Sequence, residues 1–106
     1  EKWFNRLNEI IQENISNTEF SVDQLTRSVN MSRTLLYAKV KAVTGLTPNE
    51  FIRLVRLRKA AEYLAGNEYK INEICYMVGF NSPSYFAKCF QNQFGVLPKD
   101  FINNTN

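Results

Sequence analysis

The residues whose types and spacing bear on chemistry lie on short helices and are polar or cationic. Between Ser82 and Phe94, at about 100° per residue, Ser84, Ala87, Lys88, Gln91 and Asn92 share one side. Tyr85, Phe86, Cys89, Phe90 and Gln93 share the other. The first side is short, polar and cationic, with no carboxylate. An ordinary solvated helix mixes both signs of charge, whereas a face that meets a polyanion does not. This is chemistry of recognition rather than of bond making. The chain has no histidine, so the common general base and metal ligand is absent. Two cysteines cannot build a four-ligand zinc site. No glycine loop of the phosphate-cradling kind occurs. Cys75 and Cys89 fall on apolar helix faces, as reduced thiols of a cytoplasmic protein would. We therefore expect no catalytic residue, no metal and no cofactor.

The elements that must position this face are legible around it. Ile71, Ile74, Cys75 and Val78 have helical spacing and predict a helix over Ile71–Val78. Gly79 permits a left-handed backbone, and Phe80 and Asn81 complete a turn. Ser82 can cap the next helix, with Pro83 at its first position and Gly95 at its end. Two short helices around a tight turn make a helix-turn-helix, whose second helix usually enters a DNA major groove.

The unit occurs twice. Subtracting 50 from Ser82, Phe86, Phe90, Gly95, Pro98, Phe101 and Ile102 gives Ser32, Leu36, Val40, Gly45, Pro48, Phe51 and Ile52. Upstream of the turn the offset is 49, pairing Val22, Leu25 and Val29 with Ile71, Ile74 and Val78. The extra residue therefore belongs to the turn. In the earlier recognition helix, Leu35, Leu36, Lys39, Val40 and Val43 group on one side, and Thr34, Tyr37, Ala38 and Lys41 on the other. Equivalent positions with different side chains suggest two surfaces that read two different short sequences.

At 106 residues the chain is one domain, 1–106, with a core rich in aromatic area and no strand-type alternation. The expected fold class is all-α. Charge is uneven: seven basic groups and one acidic group fall within residues 32–59, although the net charge is only +3. Such a cluster supplies phosphate affinity without base specificity. A helix over Trp3–Ile15 carries the stripe Trp3, Leu7, Ile10, Ile11 and Ile15, with Trp3 in the core or at a seam to another domain. Its outer Glu9 and Glu13 would repel DNA. Ser21-Val22-Asp23-Gln24 and Thr47-Pro48-Asn49-Glu50 are capping boxes. The second opens a long helix to about Ala65, apolar around much of its girth, as a connector between two cores would be. Of its Arg53, Arg56, Arg58 and Lys59, some should reach phosphate or tie the two units together, and Arg58 stands four residues from Glu62 for pairing. Lys70 is a poor N-cap for the helix at Ile71. A closing turn from Pro98 to about Asn103 should return Phe101 and Ile102 to the core, with Asn103–Asn106 frayed. The expected organisation is 1–47, first helix-turn-helix subdomain; 48–65, connector; 66–106, second subdomain.

Residues 20–102 resemble the arabinose-regulator (AraC/XylS) family of bacterial transcription factors. The resemblance rests on "NMSRTLLYAKVKAVTG" with "RLRKAAEYL", and on "VGFNSPSYFAKCF" with "FGVLP". The longer stretches "LTPNEFIRLVRLRKAAEYL" and "FNSPSYFAKCFQNQFGVLPKDF" are similar to the output domain of Bacteroides-type hybrid two-component regulators. The resemblance implies seven helices in two homeodomain-like helix-turn-helix subdomains, with the third and sixth helices in successive major grooves on one face of double-stranded DNA. It implies base reading by Thr34, Tyr37, Ala38 and Lys41, and by Ser84, Ala87, Lys88 and Gln91. It implies backbone contacts from Ser32, Arg33, Asn81 and Ser82; the charge of the connector, apart from the resemblance, adds Arg53 to them. Thr26 and Cys75 depart from the small alanine usual at their positions. Ala38 and Ala87 suit a thymine methyl or close approach.

Two other classes of function fit the sequence less well. An enzyme lacks its residues, as above. A helical protein-interaction module without DNA binding would show a shallow salt dependence, where DNA binding shows a steep one. RNA polymerase is a second candidate partner. We expect no membrane contact by this domain, a monomer in isolation, and a possible dimer in a longer protein. The chain starts at Glu1 and reads as a piece of something longer, cytoplasmic or anchored at the inner membrane, in which an upstream histidine kinase would fit.

Overall fold

The computed structural model describes residues 2–105, with side chains described to Ile102. Among the described residues there are seven helices and no strand: α1 Lys2–Glu13, α2 Val22–Val29, α3 Arg33–Thr44, α4 Pro48–Gly66, α5 Ile71–Met77, α6 Pro83–Phe94 and α7 Pro98–Thr105. The expected fraying over Asn103–Asn106 lies outside the described side chains.

Local chemistry sets the ends. The Ser21 and Thr47 boxes both form, with Gln24 and Glu50 closing back on the cap N–H at 3.0 and 2.9 Å. Lys70 caps nothing, because an ammonium cannot accept; Glu73 supplies the missing half by accepting from the Lys70 N–H at 3.0 Å. Helix α1 stops at Glu13, two residues before the expected end. Asn14 and Ile15 are held by turn bonds instead, and Ile15 still packs inward.

The two turns are the same device. In the first, the Met31 N–H reaches the Thr26 carbonyl and the Asn30 N–H the Arg27 carbonyl, at 3.1 and 3.3 Å. In the second, Phe80 reaches Cys75 and Gly79 reaches Tyr76, at 3.0 and 3.1 Å. This pairing of bonds is a Schellman closure, and it keeps the offset of 49 through Met31 and Phe80. The cap serines, Ser32 and Ser82, are already offset by 50. The extra residue is therefore Asn81.

Two cores result. One joins Leu7, Ile10, Ile11, Val22, Leu25, Leu36 and Val40 with Phe51, Ile52 and Val55 of α4. The other joins Leu57, Ala60 and Leu64 of α4 with Ile74, Cys75, Val78, Phe80, Phe86, Cys89 and Phe90. The first is largely aliphatic. The second is a chain of rings, with Phe90 centred 4.6 Å from Phe94 and 5.4 Å from Phe101. Helix α4 changes cores between Val55 and Leu57, which explains its apolar breadth. The residue at the change is Arg56, 7% exposed. Ile15 packs against both cores. The molecule measures 42 × 23 × 23 Å, elongated as two units in series would be.

Candidate nucleic-acid interface

Each recognition helix buries a narrower stripe than its apolar spacing suggests. In α3 only Leu36 and Val40 are buried; in α6 only Phe86, Cys89 and Phe90. The sequence-based inward sets were too wide. Leu35 is 45% exposed and Val43 48%, while Tyr85 is 50% exposed and Gln93 is also exposed. Leu35 and Tyr85 are equivalent under the offset of 50, so both units push one large side chain outward near the start of the helix. The signal was available, since two equivalent positions carried unlike residues, as the outward positions do.

The expected reading residues lie outward. Thr34, Ala38 and Lys41 are exposed, and Tyr37 is half-buried with its ring packed against the first core. Ser84, Lys88 and Gln91 are exposed, with Ala87 half-buried. Ser32 and Ser82 cap their helices, accepting from Leu35 and Tyr85 at 3.1 and 3.2 Å. Ser82 and Ser84 hydroxyls are 3.2 Å apart. Both cap serines stand at positive ends of helix dipoles, where a phosphate is favoured.

Arg33 is exposed and paired with Asp23 of α2, with its guanidinium 5.7 Å from the centre of the Tyr37 ring. An exposed pair of this kind contributes at most about 1 kcal/mol, so a phosphate can compete for the guanidinium. Arg53 is half-buried on α4. It lines one cleft with Asn81 and Tyr85, and an adjoining groove with Tyr85 and Lys88. Arg53 thus joins the connector to the outward face of α6. Lys39 turns away, its ammonium 5.0 Å from the Trp3 ring.

Arg58 is exposed, and the expected Arg58–Glu62 pair is not made. Glu62 meets Lys59 at 3.7 Å instead, the neighbour one turn back at three residues rather than four. Arg56 is buried, although it borders the same cleft as Arg53, Asn81 and Tyr85. It donates to the carbonyls of Gly79 and, at 3.1 Å, Asn17. Burial pushes its guanidinium down from its ordinary value. The two cysteines are buried, and burial raises the Cys75 thiol, as suits an inert core.

These features agree with comparison to known proteins. Residues 25–104 match a family model described as a helix-turn-helix domain. The chain is 45% identical over 94 residues to histidine kinase P4 of Formosa agariphila, covering 89% of this chain and 7% of that protein. It is 34% identical over 98 residues to the HTH-type transcriptional regulator MtrA of Neisseria gonorrhoeae, covering 91% of this chain and 33% of MtrA. The chain therefore spans a third or less of these relatives. The C-terminal domain of AraT, a response regulator from Geobacillus stearothermophilus, superposes with a TM-score of 0.87 at 26% identity, covering 98% of this chain and 86% of that one. This chain belongs to the AraC-type helix-turn-helix family of DNA-binding transcription-regulator domains, and its role is binding rather than catalysis.

Proposed function

We propose that this domain binds one specific duplex site, with α3 and α6 in successive major grooves on the same side. The carrying observation is a repeated scaffold with outward faces that do not repeat. The Ser32 and Ser82 caps, the turn bonds and the buried pairs Leu25/Ile74, Leu36/Phe86 and Val40/Phe90 match between units, while Thr34, Tyr37, Ala38 and Lys41 occupy the positions equivalent to Ser84, Ala87, Lys88 and Gln91. In this reading those eight residues read bases, and Leu35 and Tyr85 widen the two surfaces. Ser32, Arg33, Asn81, Ser82 and Arg53 hold phosphates. The subdomains are 1–47 and 66–106, with 48–65 shared.

The relationships to a histidine kinase and to a response regulator support a wider role as the output end of a hybrid two-component regulator. In that role the domain acts in the cytoplasm as a monomer. Dimerisation and contact with RNA polymerase belong to the longer protein. Selection from random DNA tests the core of the proposal and should return one site with two unlike half-sites centred about 34 Å apart. Lys88→Ala should then relax preference in one half-site only, at a cost of about 1–3 kcal/mol. Unchanged discrimination by Lys88→Ala at every position would show that α6 reads DNA otherwise than proposed.

A further inference from the structure

Arg56 is a buried cation with an unusual partner set. Among the described ion pairs no carboxylate faces it. Its acceptors are two main-chain carbonyls that lie 39 and 23 residues away in opposite directions along the chain. Asn17 lies in the turn that follows α1, and Gly79 is the left-handed residue that closes α5. The Gly79 carbonyl follows the C-terminal end of α5, where the helix dipole is negative, and the Asn17 carbonyl lies in the turn beyond α1, where it also accepts from the Phe20 N–H at 3.1 Å. Two carbonyl dipoles thus face one guanidinium. The fork geometry of arginine lets a single side chain hold both at once.

The position of this contact gives it consequence. Arg56 sits where α4 passes from the first core to the second, so Asn17 belongs to one unit and Gly79 to the turn that aims α6. The backbone comes so close here that a Cβ on Gly79 would overlap both Arg56 and the Ile15 carbonyl. A helix such as α4 can bend and its ends can twist, so a shared helix alone leaves the relative angle of two small units soft. We propose that Arg56 is a positioning residue that fixes the rotation and spacing of the two reading heads, and thereby the number of base pairs tolerated between half-sites. It touches no DNA in this role. The inference rests on the two-headed reading above.

Two measurements test it, one of them without DNA. Paired spin labels on the exposed positions Ala42 and Asn92, introduced as Ala42→Cys and Asn92→Cys, report the distance between α3 and α6. The parent should give one narrow distribution, and Arg56→Met a clearly broader one at retained helicity. Equal widths overturn the proposal. The second measurement varies the selected DNA by one base pair inserted or removed between half-sites. The parent should lose at least about tenfold in affinity on either change, a loss of the size of a mismatched base pair. Arg56→Met should lose less than about threefold on the same change while keeping its preference within each half-site. Arg56→Lys keeps the charge without the fork and should fall between the two. If Arg56→Met does not fold, Arg56→Lys carries both measurements, and parental spacing stringency or a parental distance width in it overturns the proposal. Failure of the parent to select any two-part site would instead overturn the functional reading, and the label experiment would still decide the role of Arg56.

Discussion

Gly79 concentrates more constraint than any other single position. Its φ of 91° lies where side chains are strained, and the space a methyl would take is filled by Arg56 and the Ile15 carbonyl. Gly79→Ala should therefore cost about 2–4 kcal/mol, combining backbone strain with displacement of the clamp; thermal unfolding of the variant measures it. The equivalent Asn30 also has a positive φ, 55°, but among the described residues Arg56 is the buried cation and it bonds Gly79, not Asn30. Arg33 poses the opposite case, an exposed residue whose removal should barely alter folding. Arg33→Ala should weaken binding to all sequences alike and reduce the salt slope by about one. Titrations at several salt concentrations check this, and a sequence-dependent effect would reassign Arg33 to base reading. Of these two residues, the demand for glycine was visible in the sequence, as a glycine between two helical runs. The clamp was legible only in part: Arg56 is one of four connector cations expected to reach phosphate or tie the two units together, and only the folded chain brings the Asn17 and Gly79 carbonyls to it and not to the others.

At the scale of elements, capping carried most of the legible information, because a cap is decided within four residues. The Thr47–Glu50 box is the clearest case. The Thr47 N–H, then the Thr47 hydroxyl, hold the Glu50 carboxyl below its ordinary value against the opposing effect of desolvation, with lesser help from Lys41 and Arg53. A carboxyl lowered by folding stabilises the folded state above its unfolded value, and that contribution disappears as pH falls through the lowered one. Glu50→Gln should thus flatten the part of the stability–pH curve on the acid side of the ordinary carboxylate range, which melting curves from neutral to acid pH detect. The widths of buried stripes were less legible. Spacing ranks Leu35 and Tyr85 beside Leu36 and Phe86, but how much of a helix is covered depends on what crosses it. Here only a narrow strip of α3 and α6 is covered, and the adjoining large residues stay outside. The same limit applies to Glu62, for which partners at three and four residues were both available on the helix surface.

Across the whole molecule, the duplication was the strongest signal in the sequence, since two independent sets of offsets agreed and located the extra residue within three positions. The structure narrows it to Asn81. What the offsets could not carry was the difference between the cores. Matched sites hold Leu36 and Val40 in one unit and Phe86 and Phe90 in the other, so the scaffold is repeated in backbone and not in filling. Ile15 and Arg56 join the halves, and we expect them to melt as one. The chain's sole indole, Trp3, belongs to the first half, ring to ring with Phe4 at 5.5 Å. Its emission is therefore a private optical signal of that half, while circular dichroism averages over both. Superimposable denaturation curves from the two probes are the expected outcome, and a lag between them would expose a state with one reading head intact and the other lost.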